Sequence, residues 1–287
     1  MARTPEHFDP RQQMLGTEYE LQYKRDIDLK NVELHHHDFF ELYYLVSGEV
    51  TYTIESKLYQ VLPGDLLLIS PRELHQLHIC PHPDAYERFV LWIDPSTILR
   101  LSTPSTDLMR CLDSALPGYR NRLRLDIEDR RRMFTWLEEL FEVQRRGGYG
   151  ADIMPDALLT QILVFLNRTA EKVEPESVPS SALVSRLVDY VAAHYGEELS
   201  LDVLAEQLFV SKYHLSHAFQ QQVGTSVYRY ILKKRLLIAR EAMANGAKPT
   251  AVWSQCGFGD YTGFYRAFKS EYQVSPSAFA RSRQQNL

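Results

Sequence analysis

The 287-residue chain has only three cysteines, Cys80, Cys111 and Cys256, scattered without a C-x-x-C pair. That excludes a disulfide framework, and the thiols read as reduced core residues of a cytosolic protein. No apolar run approaches the roughly 18 residues that a membrane span requires. The opening stretch, MARTPEHFDPRQQM, is polar and lacks an apolar core, so no signal peptide is expected. A strong charge of one sign is also missing, since the net charge is −5. What is present is a globular composition, 45% hydrophobic and 24% charged, in a length that fits two domains. The charge is unevenly divided. From Ala182 onward there are 12 basic and 8 acidic residues, a net of +4, against 20 and 29 in the remainder, a net of −9. An acidic domain joined to a basic one implies that only the second meets a polyanion.

One pattern occurs twice near the C-terminus. The first copy is SLDVLAEQLFVSKYHLSHAFQQQVGTS (Ser200 to Ser226), and the second is PTAVWSQCGFGDYTGFYRAFKSEYQVSP (Pro249 to Pro276). In each, a short apolar-periodic helix meets a tight turn, and a second helix follows. Leu215 and Phe219 in one copy, and Phe264 and Phe268 in the other, stand four apart and so share a helix face. The copies align at an offset of 49 residues, which matches His217 to Arg266 and Ala218 to Ala267. This is an internal repeat of a helix-turn-helix, a motif that offers the outer side of its second helix to the DNA major groove. Tyr228 to Asn245 between them has helical periodicity, with Ile231, Leu232, Leu236, Ala239 and Met243 apolar. A helix of that length spans about 27 Å, close to the roughly 34 Å separating successive major grooves.

The stretch resembles the DNA-binding domain of the AraC/XylS family of bacterial transcription regulators over about 100 residues. Gly257-Phe258, Phe264, Arg266, Phe268-Lys269 and Ser275-Pro276 carry the family signature. His217 stands where many members have Arg, and Trp253 where many have a small residue. The spacing predicts Ser211 and Asp260 as N-caps of the two recognition helices. Lys212, Tyr213, Ser216, His217 and Gln220 of the first, and Tyr261, Thr262, Tyr265, Arg266 and Lys269 of the second, are the expected DNA-binding residues. Arg266 suits bidentate reading of a guanine edge. Lys212, Lys269 and Arg229 suit phosphates.

The N-terminal half reads differently. Short strands punctuated by Gly and Pro predict a β-barrel or sandwich. The candidates are Glu33–Val46 (a strand pair or one bent strand), Glu49–Glu55, Leu66–Ile69, Leu77–Ile79 and Arg88–Ile93, with a turn at Ser56-Lys57. Helices follow over Glu128–Arg145 and Asp156–Lys172. The acidic, Pro-bearing segment VEPESVPSS (Val173 to Ser181) is the best boundary. The expected organisation is therefore residues 1–172 as effector-binding and dimerisation domain, 173–181 as linker, and 182–287 as DNA-binding domain.

Within the barrel half, His35-His36-His37-Asp38-Phe39-Phe40-Glu41 is followed by Gly48, then Pro63-Gly64-Asp65 and His75. The arrangement resembles the cupin motif H-x-H-x3-E-x6-G with a later P-G-D and His, the second part being one residue short. The implied fold is a cupin-like β-barrel with following helices, joined to an all-α tandem helix-turn-helix domain. In metal-binding cupins the matching positions, His35, His37, Glu41 and His75, hold a divalent ion, and imidazoles with a carboxylate are reasonable ligands. Three readings stay open: a regulatory barrel that binds no metal, a metal that helps hold an effector, and a metal-dependent isomerase or dioxygenase fused to a DNA-binding domain. No cofactor is required by the first. Tyr43, Tyr52, Arg88 and Trp92 are candidate pocket residues beside the histidines, and such a lining suits a sugar.

The resulting expectation is a cytoplasmic, dimeric, effector-responsive DNA-binding regulator, not an enzyme, that activates a carbohydrate-utilisation operon. Its expected partners are double-stranded DNA, a small-molecule effector, RNA polymerase and a second copy of itself.

Overall fold

Period-two alternation organises the first half of the chain, and period-3.6 amphipathicity the second. The computed structural model describes residues 14–16, 18–26, 31–79, 85–116, 118–172 and 180–284. Most of the N-terminal arm, Cys80 and most of the expected linker lie outside the described residues. The chain divides near residue 178 into two compact units.

The first unit is a cupin-like pair of antiparallel sheets. Strands β1 (Tyr19–Asp26), β3 (Phe40–Ser47), β6 (Asp65–Ile69), β8 (Tyr86–Ile93) and β9 (Arg122–Arg124) form one sheet in the order β1-β8-β3-β6-β9. Strands β2 (Val32–His35), β4 (Val50–Ile54), β5 (Lys57–Val61) and β7 (His75–Ile79) form the other, in the order β2-β7-β4-β5. Glu33–Val46 is thus a strand pair whose members belong to different sheets, with residues 36–39 as the crossing. The expected turn at Ser56-Lys57 falls one residue earlier, at Glu55-Ser56, where Glu55 takes φ 52°. Lys57 instead opens β5, a strand missing from the sequence reading because only Tyr59 and Val61 of its five residues are buried.

Three helices cover the five-stranded sheet: α1 (Pro95–Leu101), α2 (Ile127–Arg146) and α3 (Met154–Lys172). Phe40, Leu42 and Tyr44 of β3, Leu66 and Leu68 of β6, and Phe89, Leu91 and Ile93 of β8 share a core with Met133, Leu137 and Leu140 of α2 and Leu158, Leu159, Ile162, Leu163 and Leu166 of α3. The broad apolar face of α3 is therefore spent inside the protomer. The alternate residues Tyr43, Leu45, Leu67 and Ile69 face the other way, meeting Tyr52, Ile54, Tyr59 and Leu77 between the sheets. At β1 the Gln144 amide closes the backbone, accepting from Leu21 N and donating to Leu21 O, each at 2.9 Å.

The second unit is all-α: α4 (Ala182–His194), α5 (Leu201–Gln207), α6 (Lys212–Val223), α7 (Val227–Ala244), α8 (Pro249–Gln255), α9 (Tyr261–Tyr272) and α10 (Pro276–Gln284). Helices α5–α6 and α8–α9 are the two helix-turn-helix motifs, and α7 is the 18-residue rod between them. Among the described residues no helix is long and apolar enough to cross a membrane.

Cys111 and Cys256 are buried free thiols. Burial pushes Cys111 up to about 12 and Cys256 up to about 11, so neither carries appreciable thiolate at neutral pH. In a Cys80→Ser background the folded protein is expected to resist a disulfide-exchange reagent at pH 7.5. Both thiols should react once urea unfolds the chain, and rapid labelling before unfolding would contradict their placement.

Candidate functional site

Two constellations stand out, one in each unit. In the first, β3 sends Glu41 and Tyr43 between the sheets, while the flanking residues face the helices. The register sets Glu41 opposite Trp92 on β8, and Trp92 Nε1 donates to Glu41 Oε2 at 2.8 Å. His37, in the crossing after β2, brings Nε2 to 3.3 Å from the same carboxylate oxygen. That is close enough for an ion pair, but Nε2 is not aligned as a hydrogen-bond partner. His75 begins β7 and is fully buried. One ligand atom each from His37, Glu41 and His75 lie within 4.8 Å of one another.

Tautomer assignment follows from the opposite ring nitrogens. His37 Nδ1 lies 2.8 Å from the Phe39 carbonyl, and His75 Nδ1 lies 3.1 Å from the Glu73 carbonyl. A carbonyl can only accept, so each Nδ1 carries a proton and donates, which turns each Nε2 toward the other groups of the cluster. Both Nε2 atoms lack a hydrogen-bond partner among the described residues. Burial alone would raise the Glu41 pKa. His37 and His35, together with the Trp92 hydrogen bond, outweigh burial and hold the carboxyl below its usual range. Burial, reinforced by His35 and His37, holds the His75 pKa well below its usual value, so this ring is neutral. The three groups thus bring together a carboxylate, the unprotonated Nε2 of His75 and the Nε2 of His37.

The ligand-atom cluster contains three of the four residues expected from the sequence. His35 stands directly opposite His75 in the β2–β7 register, with ring centroids 4.1 Å apart. Its Nδ1 is held by the Glu33 carbonyl at 2.8 Å, and it is not among the three residues whose ligand atoms gather. The strand stops at His35 and resumes at Phe40, so the segment between them places His37.

Deeper between the sheets, Tyr43 and Tyr86 share a hydroxyl hydrogen bond of 2.7 Å, and the Tyr43 and Tyr52 rings are 5.0 Å apart. Burial pushes the Tyr86 phenol up to about 12. Arg88 is buried in an ion pair with Asp26, and its guanidinium lies 4.2 Å from the Tyr86 ring centroid. Tyr86 and Asp26 were not anticipated. Tyr86 was accessible from the alternation that also places Arg88 and Trp92 inward, whereas Asp26 comes from β1, distant in sequence.

In the second unit the recognition helices start where expected. Ser211 accepts from His214 N at 3.2 Å, and Asp260 accepts from Gly263 N at 2.7 Å. Leu215, Phe219, Phe264 and Phe268 are fully buried, which leaves the opposite faces outward. Tyr213 is exposed and stacks on His217, with centroids 5.9 Å apart. Gln220 is exposed and Ser216 half-buried. Lys212 is tied to Asp202 at 2.7 Å. On α9, Thr262, Arg266 and Lys269 are exposed and Tyr265 half-buried, while Tyr261 packs against the core of its motif. Arg266 makes no ion pair among the described residues.

Phe264 fixes α9 to that core together with Phe268, Val252 and Cys256. Replacing Phe264 by Ala should cost about 3–5 kcal/mol, measured by urea denaturation followed through helical circular dichroism. A loss below about 1 kcal/mol would mean that the recognition helix is not anchored by this ring.

Known proteins were compared with this geometry in hand. A family profile described as "AraC-like ligand binding domain" matches residues 21–163, and one described as "Helix-turn-helix domain" matches residues 204–282. The HTH-type transcriptional activator RhaS of Salmonella typhimurium is 25% identical over 260 residues, covering 87% of each chain. Among solved structures, the C-terminal domain of AraT, a response regulator from Geobacillus stearothermophilus, is 29% identical with a TM-score of 0.35, covering 36% of this chain and 86% of that one. ToxT from Vibrio cholerae is 14% identical with a TM-score of 0.41, covering 93% of this chain and 100% of that one.

Proposed function

The chain belongs to the AraC/XylS family of ligand-responsive transcription regulators, and from that premise we propose that it activates a carbohydrate-utilisation operon when a sugar enters the barrel. The observation that carries the effector site is the buried polar cluster of His37, Glu41 and His75 beside the Trp92 indole. Sugar hydroxyls both donate and accept and so suit a carboxylate with imidazole nitrogens, and the nearby rings of Trp92, Tyr43 and Tyr52 suit the apolar faces of a pyranose. The name of the Salmonella relative, a transcriptional activator, supports activation. RNA polymerase is then the protein partner, and the cytoplasm is where the DNA lies. Dimerisation through α2 and α3 remains compatible with the half-buried Trp136 and Phe165, which stack edge to face at 5.4 Å on that surface.

The same cluster fits a divalent cation. Two imidazoles whose Nδ1 atoms are held by backbone carbonyls, with one carboxylate, form a three-ligand set. His37, Glu41 and His75 would hold the ion, which would supply a positive centre for an effector oxygen. An enzyme of the isomerase or dioxygenase type would use this set too, so catalytic turnover of a sugar by the purified protein would favour that second reading. For the regulator, full-length protein is expected to gain several degrees in Tm with one sugar of a panel, with or without Zn2+ or Mn2+. A ligand at 100 times its Kd adds about 2.7 kcal/mol. A metal-dependent shift that is lost in His37→Ala but kept in His35→Ala would assign the ion to the three-residue set. Equal dependence on both histidines would contradict that division.

For DNA, exposed Arg266 on α9 is the base-reading residue. Arg266→Ala should weaken binding to the specific site by about 1–3 kcal/mol while leaving affinity for random duplex nearly unchanged, read by fluorescence anisotropy at fixed salt. Equal loss on both duplexes would make Arg266 a phosphate contact instead.

A further inference from the structure

The two helix-turn-helix motifs are held together at one close crossing. Their inner sides otherwise face a cleft of about 790 Å³, lined by Ser216 of α6, Phe258 ahead of α9, and Tyr228 and Arg235 of α7. Leu236, Ala239 and Met243 of α7 belong to the core of the second motif. On the same helix Arg235 reaches the segment leading into the first motif, where Nε donates to the Tyr195 carbonyl at 2.8 Å and Nη2 to the Glu197 carbonyl at 2.6 Å. Both acceptors lie in the loop between α4 and α5. The side chain of Tyr195 packs on the core of the second motif.

Two glycines permit this approach. Gly257, just after α8, has φ +76°, and a Cβ there would fall 2.6 Å from the Tyr195 carbonyl oxygen and 2.7 Å from Arg235 Nη2. Across the crossing, a Cβ on Gly196 would fall 2.7 Å from the Gln255 carbonyl oxygen. Contacts that short do not occur, and the opposing atom is backbone, so the loops could only separate. Gly196 has no positive φ. An alanine there is acceptable to its own backbone and opposes the crossing alone.

We propose that Arg235, Gly196 and Gly257 form a clasp that fixes the angle between the two motifs and thereby sets the spacing of DNA half-sites the protein accepts. The proposal rests on the DNA-binding reading above. Two linked modules gain affinity from each other only while their geometry lets both engage. A displacement at the clasp is carried along each motif to its recognition helix. Arg235 is thus a positioning residue, distinct from the outward residues that meet the bases.

The test uses full-length protein and a duplex that the wild type itself selects from a random-sequence pool. Derivatives carry one scrambled half-site, or one base pair inserted or deleted between half-sites. Gly196→Ala is expected to lose about tenfold or more on the intact duplex, the gain that joint engagement supplies. It should lose less than about twofold on the single half-site, and its penalty for changed spacing should shrink or move to the other spacing. Arg235→Lys, which keeps the charge, should move in the same direction and covers the case in which Gly196→Ala fails to fold. Circular dichroism melts establish that each variant is folded. A spacing profile identical to wild type in a folded variant would overturn the clasp, as would equal losses on the intact duplex and the single half-site. A salt slope reduced by about one in Arg235→Gln with an unchanged spacing profile would reassign Arg235 to a phosphate. If the wild type enriches no sequence from the pool, the DNA-binding reading fails first and the clasp falls with it.

Discussion

Strands β3, β6 and β8 are covered on both faces, by helices on one side and by the second sheet on the other. Every polar side chain they carry inward must therefore find a partner inside the protein, because water does not compensate it. Glu41 is matched by Trp92 and His37, Tyr43 by Tyr86, and Arg88 by Asp26. Apolar residues of similar volume would fill the same positions at no cost to stability, and buried ion pairs are often neutral or unfavourable compared with such replacements. A barrel selected only to fold would have little reason to keep this collection. The Nε2 of His75 sharpens the point, since it has no hydrogen-bond partner among the described residues and an unsatisfied buried polar atom costs about 1–3 kcal/mol.

Legibility in the sequence followed the range of the interactions. The helix-turn-helix repeat was readable because its determinants are local. Ser211 and Asp260 cap their helices three residues ahead, and the buried pairs stand four apart. The barrel was readable only as a class. Strand β5 escaped because one of its faces is exposed and its five residues carry two inward side chains. The four-residue set came from the resemblance to the cupin motif, which fixes spacing in the sequence but not the path of residues 36–39, where the strand is interrupted. His37 still reaches Glu41, but by the shape of the crossing and not by strand period. No sequence rule locates such a bend.

Arg235 shows a different blind spot. In the pattern of α7 it is one of several cations between apolar positions, indistinguishable from Lys233 or Lys234. Its role is decided by the Tyr195 and Glu197 carbonyls, 40 and 38 residues away. The signature Gly257 has the same origin. A left-handed φ explains why a glycine follows α8, yet the closer constraint is the Tyr195 carbonyl in the segment leading into the other motif, 2.6 Å from where a Cβ would stand. Family signatures of this kind record packing between motifs as much as contact with a ligand.

The two units present opposite chemistry. The barrel cluster gathers a carboxylate and imidazole nitrogens. The recognition helices offer donors, with Arg266 and Lys269 outward from α9, to the oxygens and base edges of a polyanion. The first half is acidic on balance and the second basic, so net charge favours a polyanion at the second unit and disfavours it at the first. An effector that influences DNA binding therefore cannot do so by competing with DNA for one surface. It must favour one arrangement of the chain over another, and the free energy available is bounded by its difference in affinity for the two.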